Sequence, residues 1–154
     1  MAEFTVTIEG VEALRRALSD PELVAGPVRD FLQRSAFTVE ARAKQAVPVD
    51  TGRLRASITT RVEPLRAIVG SNLIYAAFVE FGTRPHMPPV SALQPWARRH
   101  GFASPWPLAR AIAARGTRAQ PYLLPAFNQS RTDIEGFLAQ AARKIEEKWG
   151  RATP

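Results

Sequence analysis

An Asp-Thr-Gly tripeptide stands at positions 50–52. Two such carboxylates sharing one proton carry the chemistry of aspartic proteases, and a chain of this size would supply the pair by dimerising. The surroundings argue against it. A protease motif ends a buried strand, whereas Pro48 sits two residues before Asp50. Arg53 follows, and its charge would suppress the raised carboxyl pKa that proton sharing needs. The expectation is that Asp50 caps the turn and the helical start after it. His86 and His100 are the only histidines, and neither has a ligand partner at metal-binding spacing. No phosphate-cradling glycine loop, dinucleotide fingerprint, nucleophile elbow or zinc-binding helix occurs. Without cysteine, thiol catalysis, disulfide frameworks and cysteine zinc sites are excluded. The expectation is no enzyme, with no catalytic residue, metal or cofactor.

The remaining chemistry lies in the arginines. The 154 residues carry a formal charge of +7. Residues 1–80 hold ten cations and ten carboxylates, and residues 133–154 hold four of each. Residues 81–132 hold seven Arg (84, 98, 99, 110, 115, 118 and 131) and no Asp or Glu. The whole net charge therefore sits in one window, which also contains both His, eight of the 13 Pro and two of the three Trp. Arg98, Arg99, Trp96 and Trp106 are the charged and stacking groups a nucleic-acid site uses. They equally suit an acidic protein partner, where Arg and Trp are common anchors.

The elements that must position these residues read as an α+β fold, with residues 1–154 as a single domain. Phe4, Val6 and Ile8 alternate as in a half-buried strand, and Val11–Leu18 reads as a short helix. Asp20-Pro21 reads as a cap and a first-turn proline. A long helix is expected from Pro27 to Val47, with Val28, Phe31, Leu32, Ser35, Val39 and Ala43 on one face and Pro48 ending it. Ile58–Val62 and Leu65–Val69 read as two antiparallel strands around Glu63-Pro64, under that helix. Ile74–Thr83 is apolar almost all round and reads as a short helix ending at Gly82, buried in the fold or in an interface. Arg84–Pro89 must be extended, given three prolines. Helices near Ser91–His100 and Pro107–Arg115 then form a hairpin, with Pro95 comfortable only if the first starts late. A last helix spans Pro125–Trp149, or breaks near Ser130 and restarts with a Thr132/Glu135 capping box. No apolar run is long enough to cross a membrane, and the chain lacks a signal-peptide pattern, so it is expected to be soluble.

Three stretches carry a resemblance: Pro48-Val49-Asp50-Thr51-Gly52-Arg53-Leu54-Arg55-Ala56-Ser57-Ile58, Ile74 to Thr83, and Arg118-Ala119-Gln120-Pro121-Tyr122-Leu123-Leu124-Pro125-Ala126-Phe127. In this order they resemble the neck and tail-component family of long-tailed bacteriophages named after a Hong Kong lambdoid phage. Its members show a long helix, then P-x-D-T-G-x-L-R-x-S-I, a short sheet, Y-A-x-x-V-E-F-G-T, and a P-[F/Y]-L-x-P-A segment before a final helix. Residues 84–116 then read as a Pro- and Arg-rich helical insertion.

The resemblance implies a virion structural protein at the neck or tail end, made in the host cytoplasm. It implies a homo-oligomeric ring, hexameric, that joins head connector to tail tube as a completion or terminator subunit. Partners would be neighbouring connector and tail-tube proteins, with contact to DNA in the lumen and none to membrane. The motif residues then read as fold and interface determinants: Asp50, Gly52, Arg53, Tyr75, Phe78, Glu80, Phe81, Arg84, Pro88, Trp96, Arg98, Arg99, Arg118 and Tyr122. Glu80 is expected in an inter-subunit or internal salt bridge, with Arg53 or Arg55 as partner. The alternative is a basic nucleic-acid-binding protein.

Overall fold

The computed structural model describes residues 21–152, so the strand at Phe4–Ile8 and the helix at Val11–Leu18 lie outside the described residues. The first described element is helix α1 (Pro21–Ala46). It begins at Pro21, the proline expected in a first turn, and runs on through Pro27, the expected start of the long helix six residues later. Leu23, Pro27, Ser35, Val39, Ala43 and Val47 are buried at multiples of four residues. Each step of four overshoots a helical turn by about 40°, so the buried line winds around α1. Different stretches of α1 accordingly pack against the sheet and against the last two helices. This burial on several sides offsets the backbone hydrogen bond that Pro27 cannot donate to Leu23.

Gly52, in the left-handed conformation at φ 79°, opens the short helix α2 (Arg53–Ser57). Strands β1 (Ile58–Glu63) and β2 (Arg66–Ser71) pair antiparallel, from Ile58 opposite Ser71 to Glu63 opposite Arg66. Pro64-Leu65 forms the tip, and Glu63 binds both Arg61 and Arg66 at 3.1 and 2.5 Å. Ser57 Oγ joins the other end, donating to Leu54 O and meeting Ser71 Oγ, each at 2.7 Å.

Helix α3 (Ala76–Phe81) ends at Gly82 as expected. Residues 84–89 form no regular structure, and then α4 (Val90–Arg99) and α5 (Trp106–Arg115) pack as a helical hairpin. Pro95 lies inside α4 instead of near its start, so the expected late start is not what occurs. Small side chains close this hairpin: Ala97 and Ala109 are fully buried beside Ile112.

The C-terminal helix is split. Helix α6 (Leu123–Gln129) and helix α7 (Arg131–Ala152) meet at Ser130. Ser130 is fully buried and its Oγ donates to Ala126 O at 2.8 Å, while its own carbonyl accepts Ile134 N–H at 2.9 Å. Thr132 therefore falls inside α7, and the expected capping box is replaced by this direct splice. Helix α7 lies along α1, with Ala141 buried and Arg34 reaching over the Phe137 ring at 4.2 Å. Among the described residues no helix is long and apolar enough to cross a membrane.

Candidate functional site: the motif junction and the basic arm

The three motif stretches meet in one cluster. Leu54 and Ile58 from the first, Ala76 from the second, and Tyr122 and Ala126 from the third are all buried against Ala43 of α1 and Val47 just after its end. Val69, Leu73, Val79 and Leu123 pack around them. Ile58 is 0% exposed, so its spacing after the Asp-Thr-Gly turn places the pivotal core residue.

Glu80 locks the second stretch to the third. Its side chain is buried, and its carboxylate accepts the backbone N–H groups of Tyr122 at 2.8 Å, Leu123 at 2.9 Å and Leu124 at 3.0 Å. These are orphan donors at the start of α6. Pro125 has no N–H to satisfy, and Ala126 N–H already reaches Tyr122 O at 3.4 Å. The accounting of this helix start is complete, with a carboxylate at the positive end of the helix. Burial pushes the Glu80 pKa up, but the three backbone donors outweigh it and hold it below the usual glutamate range. Within the chain no salt bridge joins Glu80 to Arg53 or Arg55, and both arginines stay exposed on α2. A signal was present. Ala119-Gln120-Pro121-Tyr122 contains no Ser, Thr, Asp or Asn, so a helix starting there needs a cap from elsewhere. Tyr122 is itself buried; burial first, then the Glu80 charge, raises its pKa.

Asp50 does not cap α2 either, since that helix start has no side-chain cap. Its carboxylate takes a two-pronged contact from Arg99, Nε to Oδ1 at 3.0 Å and Nη2 to Oδ2, with His100 Nε2 at 3.4 Å. The Arg99 guanidinium holds the Asp50 pKa low and Arg99's correspondingly high. That is the opposite of the raised pKa a proton-sharing aspartate needs. His100 also stacks on Trp96, ring centroids 4.1 Å apart, and Trp96 stacks on Phe102 at 5.7 Å.

The segment carrying α4 and α5 forms an arm with a narrow foot. Thr83 and Thr117 exchange both backbone hydrogen bonds, at 3.1 and 3.2 Å, and their hydroxyls meet at 3.0 Å. Gly82 and Gly116 flank this bridge, both at φ 72°. A Cβ on Gly82 would lie 2.5 Å from Thr117 O, and one on Gly116 would overlap Thr83 O. Only glycine lets the two chains approach this closely. On the arm, Arg84, Arg98, Arg110 and Arg115 are exposed, as is Arg118 just past the foot, and none of these side chains has an ion-pair or hydrogen-bond partner among the described residues. Arg99 is the window's one arginine with such a partner there, Asp50. Pro88 is buried and Trp96 half-buried.

The other face is apolar. A groove of about 700 Å³ runs between α1, β2, α3 and α6, lined by Phe31, Leu32, Val39, Val69, Phe81 and Phe127. The buried Ser35 hydroxyl on its wall has no partner among the described residues. Ile74 is 88% exposed and Phe81 76%, with Tyr75, Phe78, Leu124 and Phe127 also open to solvent. The Ile74–Phe81 stretch thus buries Ala76 and Glu80 and shows its large side chains outward.

Comparison with known families bears on the resemblance. Residues 12–82 match the family model of bacteriophage HK97-gp10, putative tail-component. The match covers somewhat under half of the chain, includes the Asp-Thr-Gly and Glu-Phe-Gly motifs, and ends at the foot of the arm. It agrees with the phage neck and tail family that the motifs resemble, and it points to a structural role in a phage tail. No curated relative and no solved structure matches the chain.

Proposed function

We propose that the chain is a virion subunit of the tail end or neck, which assembles as a hexameric homo-oligomeric ring and joins the head connector to the tail tube. The match to the HK97-gp10 tail-component model carries this reading. The surface supports it. Ile74, Phe78 and Phe81 stand exposed beside an open apolar groove, and apolar side chains presented together mark association sites. Activity in this reading is binding alone. Asp50 is committed to Arg99 and Glu80 to the start of α6, which leaves both carboxylates in structural work. Tyr75, Phe78, Phe81 and the exposed arginines are the interface side chains of choice, whereas Glu80, Tyr122 and Pro88 act by shaping the subunit that presents them.

Electron microscopy and mass photometry of the purified protein, alone and mixed with phage tail-tube and connector proteins, test the reading. Rings are expected. A strictly monomeric protein in every mixture overturns it. An Ile74→Asp and Phe81→Asp double variant, both positions being exposed, is expected to fold and to lose the ring.

A further inference from the structure

We propose that the arm is a preoriented docking surface for a carboxylate-rich protein surface. The arm is tied at two places. Its foot is the Thr83–Thr117 bridge clamped between Gly82 and Gly116, and its far helix is tied back where Arg99 and His100 face Asp50. Between these ties the cations are left over: the side chains of Arg84, Arg98, Arg110 and Arg115 have no partner among the described residues. Trp106, 53% exposed, stands one turn before Arg110 on the same helix, and Phe102, also exposed, lies in the loop between the two helices. A free guanidinium fork matches a carboxylate bidentately, and Trp with Arg forms the usual energetic centre of a protein interface. Charge complementarity fixes the occupant as acidic.

DNA is also a polyanion, and two observations favour protein over it. Non-specific contact with duplex DNA is neutralisation of phosphates, whose paired bases are not free to stack on an exposed Trp, and it asks for no fixed frame. Here the frame is fixed at both ends, which lowers the ordering cost of docking a shaped partner. Asp50 is therefore a positioning residue: it spends one negative charge on a basic surface to hold Arg99 and α4 in place. The proposal rests on the virion reading only for where the partner resides. Its test uses the isolated full chain, so a failed surface and a failed ring are separate results.

The probes are a labelled peptide of glutamates interrupted by leucines and a DNA duplex of matched charge, titrated at about 150 mM salt, where exposed charges act over roughly 8 Å. The peptide is expected to bind more tightly than the duplex, and Trp106→Ala to weaken the peptide about tenfold, as interface tryptophans do. Asp50→Asn is the decisive variant. It makes the chain more positive, so attraction by charge alone predicts tighter binding of both probes. A positioned surface predicts weaker binding of the peptide by several-fold, with Asp50→Glu restoring part of it. Tighter duplex than peptide binding, no peptide binding, peptide affinity unmoved by Trp106→Ala, or tightening of the peptide by Asp50→Asn each overturns the proposal. Near-ultraviolet circular dichroism of the tryptophans verifies that each variant keeps its fold.

Discussion

The scaffold and the arm treat charge in opposite ways. On α1, Arg42 pairs with Asp133 at 2.6 Å, Lys44 with Glu40 at 2.5 Å, and Arg34 with Gln140 at 2.7 Å. Asp30 takes Lys144 of α7 at 2.9 Å. Three of these contacts tie α1 to α7. The arm leaves four of its five arginines, Arg84, Arg98, Arg110 and Arg115, without a side-chain partner among the described residues. Exposed pairs contribute little to stability, so the contrast concerns binding more than folding. A scaffold whose cations and carboxylates nearly balance is close to indifferent to charged neighbours, while an arm that carries arginine and no carboxylate is not. The two regions also differ in how they are held: the scaffold by a buried cluster, the arm by a hydrogen-bonded foot, one ion pair and a few small side chains.

Breaking the scaffold should have the largest effect. Glu80→Ala leaves three backbone N–H groups at the start of α6 without their acceptor. Each buried orphan costs about 1–3 kcal/mol, so a loss of about 4 kcal/mol is expected, with a fall in Tm of about 10 °C. Denaturant melts measure it. Ile58→Ala should cost a similar amount, about 2–5 kcal/mol, through a cavity under the sheet. Both losses should appear in every probe of the fold.

Acid sharpens the same point. The folded Glu80 pKa is depressed, so its stabilising contribution is present above the unfolded value near 4.5 and is lost as pH falls through the folded value. The stability gap between wild type and Glu80→Gln should therefore shrink as pH drops below about 4.5, read from melts at successive pH values. A gap that widens on acidification would contradict this assignment.

Gly116→Ala should act on the arm first. Gly116 sits at φ 72° and ψ −159°, a region essentially reserved for glycine that costs an L-residue about 1–3 kcal/mol, before the overlap with Thr83 O is counted. Amide exchange at Thr83 and Thr117 should speed up many-fold, while the amides of α1 keep their protection. If α1 loosens equally, the arm and the scaffold are one cooperative unit and the comparison fails. Asp50→Asn should have the smallest effect on stability. Its pair with Arg99 is exposed, so Tm should hardly move while exchange in the last turn of α4 quickens.

Much of this fold was legible because it is local. The hairpin at Ile58–Ser71, the stop at Gly82, the extended prolines and the break at Ser130 follow from residues next to one another in the chain. Helix α1 was misjudged at its start because Pro27 looked like a first-turn residue; burial on several sides let the helix run through it. The two contacts that organise the site were not legible. Glu80 reaches α6 across more than forty residues and Asp50 reaches Arg99 across a similar span. In both cases the sequence offered a nearer partner of the right charge or kind, Arg53 for Glu80 and the α2 start for Asp50. Backbone donors carry no mark in a sequence, and only the lack of a local cap before α6 hinted at them.

The foot of the arm makes it a replaceable part. Thr83 and Thr117 lie directly opposite each other as an antiparallel pair, the geometry that a tight two-residue turn can close. Whatever the chain inserts between them, the two ends leave and return at the same place. Lengthening such a loop costs only about 0.6 kcal/mol per doubling. The scaffold is therefore free to exchange one arm for another, or to do without one, and a version spliced from Thr83 to Thr117 through Asn-Gly should still fold. New binding preferences could then be grafted on without redesigning the core that carries them.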